Sequence, residues 1–186
     1  MKNLKQGKSE LAAKANLRLF FALCPDTSVR DALHRLAKKR QLELGGRVMP
    51  AETLHLTLLF LGETPVEHLP ELECAASTVH APVFNFVIER FAGWRHNGIG
   101  YAAPAQAPDE LFSLVKQLRA CVAEAAFSFD QRAFVPHVTL LRKVEQESPM
   151  QPIKPLIWTV REFVLVKSVP DVEGRCYETL GRWLLD

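Results

Sequence analysis

The chain of 186 residues has no large excess of either charge: 23 Lys and Arg against 21 Asp and Glu leave a formal net charge of +2. That balance excludes a protein that coats long nucleic acid with a uniform basic surface, and it leaves a small anion or a strand end as a possible ligand. Cysteines are few. Cys24, Cys74, Cys121 and Cys176 lie far apart with no CxxC pair, which excludes a disulfide framework and a Cys-based zinc site and suits free thiols in a reducing compartment. Long hydrophobic runs are missing too. The longest, Leu56 to Leu61, is interrupted by Thr57 and falls far short of the roughly 20 residues a spanning helix needs. No apolar stretch of signal-peptide length precedes Leu17, so a soluble, cytoplasmic protein is expected.

The apolar share, 48 %, is ample for a conventional core. Residues 1–16 read as a polar lead-in and residues 17–186 as a single domain. LRLFFALC (17–24) has the β-rich run of a buried strand. Capping residues at Pro25 to Ser28 then open a helix, with Val29, Leu33, Leu36 and Ala37 at helical spacing and a basic end at Lys38-Lys39-Arg40. LHLTLLFL (54–61) is a second strand, followed by a short helix carrying Leu69, Leu72 and Ala76. The second half repeats the plan. FNFVIERF (84–91) and IGYAAPA (99–105) form a hairpin, a helix follows Pro108, and PHVTLLR (136–142) is the next strand. A proline-rich loop through Pro149, Pro152 and Pro155 then leads to a closing pair, EFVLVKSV (162–169) and RCYETLGRWLL (175–185). Strands alternating with helices indicate an α/β or α+β fold.

Two segments match across these halves: Leu54-His55-Leu56-Thr57-Leu58-Leu59 and Pro136-His137-Val138-Thr139-Leu140-Leu141, 82 residues apart. With six His and eight Thr in the chain, His-x-Thr should occur by chance on the order of a quarter of one time. Two copies, each inside an apolar run, point to an internal duplication. Side chains alternate along a strand, so each motif presents an imidazole and a hydroxyl on one face. Related by a pseudo-twofold axis, the two imidazoles would share one cleft.

That constellation suits a phosphodiester. In-line hydrolysis needs one group to take a proton from water and another to protonate the departing oxygen. Imidazole holds either state near neutral pH, and threonine hydroxyls can bond the non-bridging oxygens. One neutral and one charged His would make the rate bell-shaped around neutrality. A lone strand His is ordinarily structural, but two polar pairs buried in apolar strands without a function would be costly. A metal bound by both His would need a third ligand, and neither motif offers a carboxylate or Cys on the shared face. No metal and no cofactor are expected. His34, His68, His80 and His96 fall in predicted helices or turns and read as surface residues.

LHLTLLFLGE (54–63) and FVPHVTLLR (134–142), with RLFFAL near the start and EFVLVKSV…GRCYETLGRW near the end, resemble the two-histidine phosphoesterases, specifically the RNA 2′,3′-cyclic phosphodiesterases also called 2′-5′ RNA ligases. The resemblance spans about residues 17 to 184. It implies a bilobal α/β (α+β) fold with mainly antiparallel sheets and a cleft holding one His-x-Thr from each half. It also implies His55 as proton donor, His137 as proton acceptor, Thr57 and Thr139 as substrate ligands, and a 2′-phosphomonoester product. Phe60 and Arg142, each five positions after a motif His, would sandwich the base, as such positions do in relatives. Strict alternation would turn an offset of five away from the His face, so this role requires a bulge. The implied partner is an RNA or oligonucleotide end bearing a 2′,3′-cyclic phosphate, with the protein a monomer and ligation a side activity. Cleavage of 2′-5′ oligonucleotides or of ADP-ribose cyclic phosphate, or an idle RNA-end binding module, are the alternatives.

Overall fold

The computed structural model describes residues 15–171 and 174–186; the expected lead-in lies almost wholly outside them, and Asn16 already belongs to a strand. That strand, β1 (Asn16–Leu23), is flanked on both edges and covered on both faces, which is why its sequence is a continuous apolar run rather than an alternating one. The first helix, α1 (Thr27–Leu44), starts where Asp26 accepts a 2.9 Å hydrogen bond from the Val29 amide. It runs past the predicted basic end, because an Arg40–Glu43 ion pair and the buried Leu44 carry it one turn further, and it stops at Gly45, φ 68°.

The remaining elements are β2 (Arg47–Val48), β3 (Leu56–Pro65), α2 (Leu69–Ala76), β4 (Phe84–Trp94), β5 (Ile99–Ala103), α3 (Asp109–Glu124), β6 (Val138–Arg142), β7 (Gln151–Val160), β8 (Glu162–Asp171) and β9 (Gly174–Leu184). The β4–β5 hairpin and the closing β8–β9 pair form as expected. The proline-rich loop does not. Pro152 and Pro155 lie within β7, and this is permitted because β7 is the last strand of the sheet, where a missing N–H can face away from the ladder.

All strand pairs are antiparallel, in the order β7-β4-β5-β6-β3-β1-β8-β9, with β2 added beside β6. The α+β class follows. Two four-stranded halves meet at β3 and β6, through the pair Leu56–Val138. These two residues are themselves 82 positions apart, so the pseudo-twofold axis passes through their pairing. The halves of space are not the halves of sequence: β8 and β9 complete the sheet half begun by β1 and β3. The helices cross over as well. The helix leaving β1, α1, packs on β6 and β7, and the one leaving β5, α3, packs on β3.

The helices bury Leu33, Ala37, Leu72, Leu111, Leu114 and Leu118 against one face of the sheet. The opposite face carries two small apolar clusters, one in each half. Phe20, Ala22, Val164 and Val166 form the first, with Phe60 and Tyr177 against it; Ala92, Tyr101 and Ala103 form the second, with Trp94 and Ile99. The cleft lies on this face. No helix among the described residues is long and apolar enough to cross a membrane.

Candidate active site

The two motifs end up side by side in one cleft of about 880 Å³, lined by His55, Thr57, His137 and Thr139. Carrying the antiparallel register one residue outward from Leu56–Val138 sets His55 across from Thr139 and His137 across from Thr57. Neither histidine is inside a strand, as the sequence suggested; each immediately precedes one, His55 before β3 and His137 before β6. The backbone bends there, and each ring closes back on it. His55 Nδ1 donates to the Thr53 carbonyl at 2.7 Å and His137 Nδ1 donates to the Val135 carbonyl at 2.7 Å. Since a carbonyl can only accept, both Nδ1 atoms carry a hydrogen and both Nε2 atoms are left for chemistry. The Thr57 hydroxyl lies 3.0 Å from His55 Nε2.

The bulge required for Phe60 and Arg142 is present twice. Between β1 and β3, Phe21 pairs with Leu59 but Ala22 pairs with Thr57, which leaves Leu58 extra. Between β5 and β6, Gly100 pairs with Leu141 but Tyr101 pairs with Thr139, which leaves Leu140 extra. Leu58 and Leu140 are equivalent under the duplication, and each extra residue flips the residues just after it, turning Phe60 and Arg142 onto the cleft face. Phe60 is already capped by a cation, with the Arg18 guanidinium 4.6 Å from its ring centre.

The walls around the rings were not evident beforehand. His55 lies among Phe20 and Tyr177, at centroid distances of 4.8 and 5.1 Å, and His137 among Trp94 and Tyr101, at 4.9 and 5.7 Å. Phe20 was hidden because an all-apolar strand shows no face preference in its sequence. Arg47 was hidden because β2 is only two residues long. Its backbone pairs directly with that of Arg142. The turn that delivers it relies on Gly46, φ +80°, whose missing Cβ would stand 2.6 Å from the Arg142 carbonyl oxygen.

Burial shapes both imidazoles. It pulls His55 down from 6.5 to about 4, against the Thr53 carbonyl, which favours the charged ring, and with His137 and Arg142, which disfavour it. His137 is lowered too, by burial first and by Arg142, again opposed by its carbonyl partner at Val135. Burial therefore favours the neutral form of both rings in the empty cleft. Of the other histidines, His80 is exposed, His34 and His68 are partly buried, and His96 is exposed at the rim of this same cleft. Among the described residues, no group of three or more His, Cys, Asp or Glu side chains is placed to hold a metal ion.

Paired imidazoles, paired hydroxyls and an arginine wall in one cleft are the equipment of acid–base chemistry on a phosphate ester. Comparison with known proteins narrows this: the chain belongs to the LigT like Phosphoesterase family, whose model matches twice, over residues 23–101 and 102–177, so that each match contains one motif. It is 31 % identical over 171 residues to the RNA 2′,3′-cyclic phosphodiesterase of Escherichia coli (strain K12), covering 90 % of this chain and 96 % of that one. It is 32 % identical over 183 residues to the RNA 2′,3′-cyclic phosphodiesterase of Thermus thermophilus, covering 91 % and 90 %. The fold superposes on the crystal structure of E. coli LigT complexed with 3′-AMP with a TM-score of 0.84 at 30 % identity, over 92 % of this chain and 99 % of that one.

Proposed function

We propose that this protein hydrolyses 2′,3′-cyclic phosphates at RNA or oligonucleotide ends to 2′-phosphomonoesters, with His137 as proton acceptor and His55 as proton donor. The observation that carries the reading is the duplicated pair of rings, each fixed by a 2.7 Å bond from Nδ1 to its own backbone so that Nε2 serves the cleft. Water attacks phosphorus as His137 Nε2 takes its proton, and the bond to the 3′-oxygen breaks as His55 Nε2–H protonates that oxygen. The 2′-oxygen keeps the phosphate. His137 ends charged and His55 neutral, and exchange with solvent restores both.

The two resting states support this division. His137 is neutral with no hydrogen-bond partner at Nε2 among the described residues, ready to accept. His55 is neutral as well and must gain a proton before it can donate. A bound phosphodiester supplies the reason, because an anion beside the ring favours its charged form and offsets the loss of water. Thr57 and Thr139 hydrogen-bond the non-bridging oxygens, and Phe60 and Arg142 hold the base. The work is done by side chains, so the reaction runs without a metal, and the reverse of a related step accounts for 2′-5′ ligation as a side activity. The free thiols of Cys24, Cys74, Cys121 and Cys176 suit the reducing cytoplasm, and the protein is taken to act as a monomer.

The test is the product formed from adenosine 2′,3′-cyclic phosphate in excess EDTA. Adenosine 2′-phosphate is expected. Adenosine 3′-phosphate would reverse the leaving oxygen, and loss of turnover that added metal restores would overturn the side-chain mechanism.

A further inference from the structure

The arginines are unevenly distributed. Five of them, Arg18, Arg47, Arg119, Arg132 and Arg142, line the cleft with no lysine and with Asp130 as the one carboxylate among the described residues, in a chain whose total charges nearly cancel. Arg142, assigned above with Phe60 to the base, ends β6 on the catalytic side of the cleft. Arg119 and Arg132 belong to a separate shelf, made by α3 and the segment after it. Arg119 donates from Nη2 to the Arg132 carbonyl at 2.6 Å, Asp130 grips the Arg132 guanidinium from both oxygens, and Phe134 leans edge-on against Phe112 at 5.9 Å. The Arg132 side chain nonetheless remains 88 % exposed at the cleft.

This shelf is tied to the catalytic face at two points. The Asp130 amide donates to the Phe60 carbonyl at 2.8 Å, and Val135 supplies the carbonyl that holds His137. One short stretch of chain therefore runs from the residue assigned to the base to the ring assigned as proton acceptor, carrying a guanidinium and an aromatic ring on the way.

We infer that the shelf of Arg119, Arg132 and Phe134 is a second nucleotide subsite, which takes the phosphodiester and base preceding the cyclic end, so that the preferred substrate is an oligonucleotide rather than a mononucleotide. This rests on the phosphodiesterase reading above. A mononucleotide 2′,3′-cyclic phosphate brings one negative charge, whereas each further phosphodiester brings another, and with Arg18 facing Glu63 and Arg132 facing Asp130 the five cleft arginines still outnumber their carboxylates. Guanidiniums beside an aromatic ring are the pairing that holds single-stranded RNA, the charge on the backbone and the ring under a base.

The experiment compares adenosine 2′,3′-cyclic phosphate with the dinucleotide ApA ending in the same cyclic phosphate, at low and moderate salt, for the native protein and for Arg132→Gln and Arg132→Lys. The native protein should show a KM at least tenfold lower for the dinucleotide, with the advantage shrinking as salt rises. Arg132→Gln should raise the dinucleotide KM several-fold more than the mononucleotide KM, and Arg132→Lys should restore part of the difference. Equal kcat/KM for both substrates in the native protein would overturn the subsite while leaving the phosphodiesterase reading intact, and so would a dinucleotide preference that survives Arg132→Gln with its salt dependence unaltered. No turnover of either substrate by the native protein would overturn both.

Discussion

The first His-x-Thr motif and the second share their main backbone devices yet differ around the rings. Both have a ring tied to the carbonyl two residues back, an extra leucine three residues on and a cleft-facing side chain at the fifth position. His55, however, has the Thr57 hydroxyl 3.0 Å from Nε2 and a pKa pulled to about 4, while among the described residues His137 has no such bond to Thr139. A duplicated scaffold thus supplies symmetric positions, and side chains drawn from strands outside the motif, Phe20 and Tyr177 against Trp94 and Tyr101, make the positions unequal. An acid and a base need that inequality.

The most severe way to break the comparison is to remove a ring. His55→Ala and His137→Ala should each lower kcat by roughly 10²-fold or more while circular dichroism stays native; near-normal turnover in a folded variant would strike that ring from the mechanism. Removing a hydroxyl is milder. Thr57→Val and Thr139→Val should each cost roughly 10- to 100-fold in kcat, the scale of a hydrogen bond to a charged group. The pair also tests asymmetry: the Thr57 hydroxyl donates to neutral His55, so Thr57→Val should raise the His55 pKa measured by NMR, and Thr139→Val should leave that of His137 in place. Full activity in both Val variants would make the hydroxyls structural.

Titration should separate the rings without mutation. Because both pKa values are depressed in the empty cleft, kcat/KM should peak between about 4 and 6.5 rather than around neutrality, and kcat, which reports the complex, should hold to higher pH as the bound phosphate raises His55. A kcat/KM optimum centred on pH 7 would contradict the burial argument. A last effect is on stability. Folding lowers His55 from 6.5 to about 4, so the unfolded chain takes up the proton first. Stability is full above 6.5 and falls on the way down to 4, by a contribution on the order of 3 kcal/mol that His55→Gln should remove in urea melts.

Much of this was legible in the sequence because it rests on local pattern. Alternation and turn residues marked the β4–β5 hairpin and the β8–β9 pair, and the repeated motif located both histidines. Even the bulge was required by counting, since Phe60 and Arg142 could reach the cleft face only through an odd residue. What stayed hidden depends on contacts distant in the chain. Arg47 acquires its place from a glycine turn pressed against the end of β6, Arg132 from a brace on α3, and β7 tolerates Pro152 and Pro155 only because nothing pairs beyond it. Periodicity carries no record of a strand's neighbours.

The exchange of helices has a mechanical meaning. Because α1 leaves β1 to cover β6 and β7, and α3 leaves β5 to cover β3, each lobe wears a lid that the other lobe's chain has made. A cut between the two repeats would give neither fragment a closed core, so the tandem copies of the motif no longer correspond to separable units. Interlocked this way, the two lobes are held by each other's helices as well as by the Leu56–Val138 pairing, so the cleft between them is framed by both copies at once.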